Sequence, residues 1–323
     1  GPRASGTTFM FLYSALGPGK RAFRASRFVH GGVGSLIGAL ANFVRQRNGE
    51  ICTGQNVSRV VLDGDRATGV ILESGEKILA RAIVSNTDAR HTFFDLVGPH
   101  HLDVRFVREV KNIKFRGSTA RLNLVLSHLP EFSALAERRD SVDPVALLSG
   151  HILVCPDLDY LERAYDDAKY GRISQKPVLD IVIPTILDDS LASNGHHLMS
   201  IDVRYTPYRL TGGDWQTQRK ILLDRVVKTL TDYAPDLEQL ILHQQVLTPR
   251  DFEVEYRLPE GSIYHGQMGL DQLLFMRPVP GYGRYRSPVE NLYLCGAGTH
   301  PGGGVTGAPG YNAAREVLKD LRR

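Results

Sequence analysis

The stretch that most constrains this fold lies near the end of the sequence. Asn291-Leu292-Tyr293-Leu294-Cys295 runs directly into Gly296-Ala297-Gly298-Thr299-His300-Pro301-Gly302-Gly303-Gly304-Val305-Thr306-Gly307. The first five residues read as a short apolar strand. Ala314, Val317, Leu318 and Leu321 then recur at helical spacing, with Thr306 placed to cap and Pro309 tolerated in the first turn. The order is strand, glycine loop, helix. Seven glycines between positions 296 and 310 remove Cβ atoms, which lets main chain approach a ligand closely. The helix start adds unpaired N–H groups and about half a positive charge, so an anionic or planar ligand suits the turn. No lysine followed by Ser or Thr closes the loop, so it is not a phosphate-cradling P-loop. Gly17-Pro18-Gly19-Lys20 fails the same pattern, with Ser14 where the first glycine belongs and Arg21 after the lysine. Nucleotide hydrolysis is disfavoured.

Upstream, residues 1–30 carry Gly6, Gly17, Pro18 and Gly19, then Lys20, Arg21, Arg24 and Arg27, without a sustained period; irregular structure is expected there. Leu36, Leu40, Phe43 and Val44 form one stripe of a helix expected over Ser35–Asn48, stopped by Gly49. Gly32-x-Gly34-x-x-x-Gly38 at its start resembles a dinucleotide fingerprint. A genuine one follows a buried strand and places its acid at the end of the next. Here Arg24-Ala25-Ser26-Arg27-Phe28 precedes it and Glu50 comes before the next strand, so nicotinamide binding through this turn is not expected. Asn56–Leu62, Thr68–Glu73 and Lys77–Ser85, separated by Asp63-Gly64-Asp65 and Ser74-Gly75, read as a three-strand meander.

Beyond His91 the alternation lengthens. Ala120, Leu122, Leu124 and Leu126 share a face, as do Met199, Ile201, Val203 and Tyr205, and Phe252, Val254, Tyr256 and Leu258. Val178–Ile183 is apolar on both faces, which suits a covered central strand of a mixed sheet. Asp214 is placed to cap a helix whose stripe is Trp215, Leu222, Val226, Leu230 and Tyr233, ended by Pro235. Asp157–Asp167 and Arg138-Arg139 read as solvated faces, and the pairs His100-His101 and His196-His197 as surface loops without metal-ligand spacing.

With 323 residues, 42% hydrophobic and 23% charged, the chain has the composition of a globular protein of about two domains. A net charge of +4 is too small for a surface that tracks nucleic acid. Cys52, Cys155 and Cys295 are far apart and form no C-x-x-C pair, which favours buried thiols in a reducing compartment, the cytoplasm or the mitochondrial matrix. No apolar run reaches the roughly 18 residues of a spanning helix. The sequence opens Gly1-Pro2 without a methionine, the look of a cleavage scar or of a chain cut from a longer one.

Several of these residues carry a family resemblance. Gly31-Gly32-Val33-Gly34 before the amphipathic helix, Val57 in the first meander strand, Ser85-Asn86 closing the third, and above all Leu294-Cys295 through Val305 resemble the phytoene desaturase and flavin amine oxidase superfamily. Leu258 through Gly266, Asp271-Gln272-Leu273 and Arg277-Pro278-Val279-Pro280 resemble its branch of pyridine nucleotide-disulphide oxidoreductase domain-containing proteins. Members of the superfamily begin with a strand, a G-x-G-x-x-G turn and an acid that grips the adenosine ribose, none of which stands here. The resemblance therefore implies the C-terminal part of a longer protein, without the adenosine and pyrophosphate half of a flavin site.

The fold implied is α/β: a partial FAD-binding doubly wound domain with a mixed β-sheet substrate domain. The boundaries are an irregular segment at 1–30, the partial FAD-binding domain at 31–95, the substrate domain at 96–285 and the returning FAD-binding segment at 286–323. The activity implied is an FAD-dependent oxidoreductase taking hydride from an apolar or amine substrate; the alternative is a binding or scaffolding module that keeps the fold without turnover. The resemblance places Gly304, Val305 and Gly307 at the flavin pyrimidine edge, Gly296 and Ala297 near the ribityl and phosphate groups, and Val57 against the adenine. An ordinary core strand valine explains Val57 equally well. His300 could face the flavin as a proton donor or acceptor, although a loop histidine bonded to backbone is the plainer account. Asp271 and Gln267 fall on the implied substrate side, and an Asp capping Gln272 onward explains Asp271 equally well. This chain alone is expected to bind FAD weakly or not at all, to lack activity, and to associate as an oligomer or with a missing N-terminal half. An apolar substrate leaves room for peripheral membrane contact, since enzymes of that kind often load from a bilayer, but no amphipathic basic helix stands out.

Overall fold

The computed structural model of the chain describes residues 1–15, 28–136, 143–193 and 195–322. Gly17, Pro18, Gly19, Lys20, Arg21, Arg24, Arg27 and the Arg138-Arg139 pair lie outside them. The strands are β1 (Val57–Asp63), β2 (Arg66–Leu72), β3 (Lys77–Leu79), β4 (Ile83–Ser85), β5 (Thr119–Leu126), β6 (Ile152–Val154), β7 (Val178–Val182), β8 (His197–Arg204), β9 (Ile241–Leu247) and β10 (Leu292–Leu294). Helix and sheet are mixed throughout, consistent with the α/β class. Contacts divide the chain into two units, Gly1–Ile51 with Gly117–Glu255 and Cys52–Arg116 with Tyr256–Arg323. These limits differ from 31–95, 96–285 and 286–323. Phe106, Val110, Ile113 and Phe115 share one core with Val60 and Leu294, which draws 96–116 to the glycine loop.

The first unit holds a five-stranded sheet in the order β6-β7-β8-β5-β9. Every neighbouring pair is antiparallel, which corrects the expectation of a mixed sheet. The alternation itself carries the reason, since one buried and one wetter face is the pattern of antiparallel strands. Ala120, Leu122, Leu124 and Leu126 are buried on one face of β5, and Leu122 and Leu124 sit opposite Ile201 and Met199 of β8. The helix Trp215–Thr231 brings Leu222, Val226 and Leu230 into the same core. Asp214 caps it, accepting from the Thr217 N–H at 2.9 Å.

Three further expectations for this unit are corrected. Residues 252–258 do not form a strand: Pro249–Tyr256 is a helix, with Val254 and Tyr256 exposed. Its start is a reciprocal cap, in which the Thr248 N–H donates to Asp251 Oδ2 (2.7 Å) and the Asp251 N–H to Thr248 Oγ1 (3.2 Å). With Pro249 in the first turn, that local signal overrides the alternation. Within 1–30, Thr7–Ala15 is helical because no glycine or proline interrupts it. The next helix spans Gly32–Arg45 rather than Ser35–Asn48 and buries none of its residues, so its apolar stripe does not pack as expected. Gly49 still serves as the stop, its N–H donating to Val44 O at 3.0 Å.

Asp188 anchors the approach to that helix. Its buried carboxylate accepts from the Ser190 hydroxyl (2.6 Å) and the Gly31 N–H, and lies 2.9 Å from His30 Nδ1. The Ser190 bond leads the causes that hold its pKa down at about 2. An unfolded Asp titrates near 3.9, so this carboxylate favours the folded chain above about pH 4, and the advantage is lost as pH falls toward about 2. Ser190→Ala is expected to move the Asp188 midpoint upward in a carboxyl NMR titration; an unchanged midpoint would contradict the assignment.

In the second unit β1-β2-β3 form an antiparallel meander, and β4 pairs in parallel with β10. The expected third strand, Lys77–Ser85, is thus two strands, because Ile83–Ser85 leaves the meander to join Leu292–Leu294. The closing helix is Ala308–Leu321, with Gly307 rather than Thr306 at the cap position. The Thr306 hydroxyl accepts instead from the Ala308 N–H at 3.2 Å. Pro309 and Ala313 are its buried residues, and Leu318 is exposed.

Two smaller expectations also change. Cys52 is exposed, while Cys155 and Cys295 are half-buried. His197 opens β8 and meets Thr185 Oγ1 at 3.0 Å, so it is not a loop residue; the His100 and His101 rings lie 4.0 Å apart in a short turn. Among the described residues no helix is long and apolar enough to cross a membrane.

Candidate functional site

The glycine loop in the second unit divides into two halves. In the first, protein atoms fill the space the glycines leave. A Cβ on Gly296 would lie 2.8 Å from the Asn86 carbonyl oxygen, one on Gly298 3.4 Å from His265 Cβ, and one on Gly302 2.6 Å from Met268 Cε. A Cβ on Gly303 would collide with the Tyr264 ring. At Gly296, Gly302 and Gly303 a Cβ would force its neighbours to shift, whereas the contact at Gly298 is an ordinary van der Waals distance. In the second half nothing closes over the chain: Gly304 and Gly307 have φ of +110° and +67° with open space or one loose contact, and Val305 is 74% exposed. Bare main chain therefore leads into the positive end of a fourteen-residue helix, although the Ala308 N–H is taken by the Thr306 hydroxyl and Pro309 has none.

One buried arginine ties the packed half together. Arg277 is 2% exposed. It donates to Ala297 O from Nε (2.9 Å) and Nη2 (2.7 Å), to Gln272 O (3.1 Å), Gln267 O (3.2 Å) and Gly266 O (3.3 Å), and to Tyr264 O. The segment 264–272 is thereby fastened to the loop. Gln272 fixes its other side, bonding the Lys114 N–H (2.7 Å) and O (3.0 Å) through its side-chain amide. Arg277 and Gln272 entered the sequence reading only through a resemblance; no spacing rule marks a residue whose partners are backbone carbonyls.

The candidates from sequence meet different fates. Gly296, Ala297, His300, Gly304, Val305 and Gly307 lie along this one loop, with Gly296 in its packed half and Gly304, Val305 and Gly307 in its open half. Gln267 is joined to it through Arg277, but by main chain, and its N–H donates to Lys114 O at 2.8 Å. Asp271 is exposed and pairs with Lys114 Nζ at 2.6 Å, and that bond leads the causes holding its carboxyl below the usual range. It caps nothing, since Gly269 takes the cap position of its turn. Val57 opens β1 opposite Leu72 and packs on the core of this unit, the ordinary role of a strand valine.

His300 departs from its plainer account. Its Nδ1 is buried with no hydrogen-bond partner rather than bonded to backbone. Its carbonyl is held by the Tyr285 hydroxyl (2.8 Å), which in turn accepts from Asn312 Nδ2 (2.8 Å). A second histidine, not singled out from sequence, lies against Gly298. His265 Nδ1 is also buried and unpartnered, and its backbone is left-handed at φ +53°. Burial lowers its pKa, with Asp88 opposing and Arg277 reinforcing, so the ring is neutral at neutral pH. Asp88 is itself buried and accepts from the Arg90 (2.8 Å) and His91 (3.0 Å) N–H groups. The surroundings of the loop thus combine a buried cation, a neutral imidazole and exposed main chain at Gly304 to Gly307.

The sequence profile of flavin containing amine oxidoreductases matches residues 4–318. The chain belongs to that family. Its relatives include the pyridine nucleotide-disulfide oxidoreductase domain-containing protein 2 of Mus musculus, 38% identical over 325 residues, covering 99% of this chain and 56% of that protein. The lycopene-forming phytoene desaturase of Pantoea ananas is 27% identical over 297 residues, covering 91% and 56%. An oxidoreductase from Methanosarcina mazei shares the fold with a TM-score of 0.57 at 17% identity, covering 91% of this chain and 55% of that one. A putrescine oxidase variant does so at 0.54 and 12%, covering 91% and 53%. The chain spans about half the length of the curated relatives it matches.

Proposed function

We propose that this chain supplies the flavin-ring end of an FAD-dependent oxidoreductase that takes hydride from an apolar or amine substrate. The observation that carries the reading is the open half of the glycine loop, where Gly304, Val305 and Gly307 leave main chain exposed before the helix Ala308–Leu321. These residues fit a flavin: no Cβ at Gly304 or Gly307 bars a flat ring, and the helix start favours the negative charge that gathers on its pyrimidine edge during reduction. When bound, the flavin would supply the hydride acceptor. The protein's own part is positional. Arg277 clamps Ala297 and the 264–272 segment, which fixes the stem of the loop, and the neutral His265 packs against Gly298 without adding a second cation.

Because only one end of the cofactor is gripped, the chain by itself binds FAD weakly or not at all. The unburied helix Gly32–Arg45 supports association of the isolated chain with a second copy or a further polypeptide. Membership of the family and the likeness to phytoene desaturases favour an apolar isoprenoid as the first substrate to try and a primary amine as the second. The experiment is anaerobic addition of each to a protein of the relatives' length containing this chain. Bleaching of the flavin absorbance by either is expected; a flavin that stays oxidised with both would favour a binding module without turnover.

A further inference from the structure

We propose that the second unit carries an anion site for a phosphate-type dianion, walled by Arg284, His300 and Lys319. A cavity of about 460 Å³ is lined by these three residues with Tyr285, Arg286 and Glu316. The charges sort into engaged and unengaged groups. Arg286 is held by Asp320 on two nitrogens (2.8 and 2.9 Å) and by Glu316, and the Tyr293 hydroxyl donates to the same Asp320 at 3.0 Å. Glu316 is therefore committed to Arg286. Arg284 and Lys319 have no acidic partner among the described residues, so two positive charges on exposed side chains border the cavity without an ion pair of their own.

His300 adds the second, independent observation. Its Nδ1 is buried and has no hydrogen-bond partner in the protein. The Tyr285 hydroxyl is already engaged, donating to His300 O and accepting from Asn312, and this pairing fixes the residue in the cavity wall. The cavity wall presents a guanidinium and an ammonium beside the imidazole of His300, and Glu316, the acceptor on that wall, is turned to Arg286. Such a set suits several acceptor oxygens bearing about two negative charges, which is the chemistry of phosphate rather than of a single carboxylate. The volume exceeds that of phosphate alone, leaving room for an organic body behind it. The site uses no atom of the open half of the loop, so it stands whether or not a flavin binds there.

The test titrates the chain with inorganic phosphate, with acetate and with a phosphomonoester, adenosine monophosphate, following backbone amide shifts. Saturable phosphate binding is expected, with shifts at Arg284, Tyr285, His300 and Lys319. Affinity should fall at least about tenfold in an Arg284→Gln, Lys319→Gln double variant, a loss in line with removing charge-assisted bonds. Both side chains belong to exposed residues, and an unchanged melting temperature confirms that the variant folds. Tighter binding of the monophosphate than of phosphate would identify a phosphorylated organic molecule as the source, and equal binding would identify the free ion; both support the site. Acetate binding as tightly as phosphate, equal phosphate binding by the double variant, or no saturable binding at all would each overturn it.

Discussion

Replacing Arg277 by leucine is expected to destabilise the second unit by about 4 kcal/mol or more. The substitution leaves the carbonyls of Tyr264, Gly266, Gln272 and Ala297 without their side-chain donor, while Gln267 O keeps the Gln272 amide at 3.2 Å. Each buried polar group left unsatisfied costs about 1–3 kcal/mol, and water entering the gap would recover only part of the sum. Arg277→Lys keeps the charge but loses the planar fork, so it should lie between the wild type and the leucine variant. Hydrogen exchange at Gly266, Gln267 and Ala297 reads the effect locally, and urea unfolding reads it globally. A leucine variant within about 1 kcal/mol of wild type, inside the ordinary range for single substitutions, would show that the clamp is not what holds the loop.

The second large effect comes with a built-in contrast of sign. Gly296→Ala drives a Cβ to 2.8 Å from both the carbonyl and the side-chain oxygen of Asn86. The backbone has little freedom to yield. The Cys295 N–H is bonded to Ser85 O at 2.9 Å, and Gly296 O accepts from the Thr299 N–H (3.0 Å) and hydroxyl (2.9 Å). Overpacking of this kind costs about 1–3 kcal/mol, and here the obstacle is main chain rather than a flexible side chain. Gly310→Ala should do the opposite. That glycine lies exposed inside the closing helix with open space around it, so alanine should stabilise by about 0.5–1 kcal/mol. Melting temperatures of the two variants, one lowered and one raised, test whether the seven glycines are divided by role. Equal effects would contradict the division.

The strand, loop and helix at the end of the chain were legible because their signals are local. Leu292 to Leu294, the glycines and Ala308 onward need no distant partner to declare themselves. The alternation of Ala120, Leu122, Leu124 and Leu126 was legible for the same reason, since a period of two sorts the faces of a strand by itself. Phe252, Val254 and Tyr256 show the limit of that signal: the Thr248–Asp251 cap decided the conformation, and an alternation too short to outweigh it was overruled. The candidate site was legible as a loop but not as an arrangement. Why Gly302 and Gly303 must be glycine depends on Met268 and Tyr264, more than thirty residues away in the sequence. Arg277 and His265 stood in the segments that carry the resemblance, but no role could be read for them, because their partners are carbonyls and packing surfaces, which carry no side-chain signature.

Riboflavin, which has neither phosphate nor adenosine, isolates the claim on which the functional account stands. Titrated into this chain and followed by amide shifts, it is expected to move Gly304, Val305, Thr306, Gly307 and Ala308, and to bind about as weakly as FAD does, because only the ring is gripped. If those amides stay still while riboflavin shifts others, or if FAD binds the chain far more tightly than riboflavin, the open half of the loop is not the seat of the flavin ring.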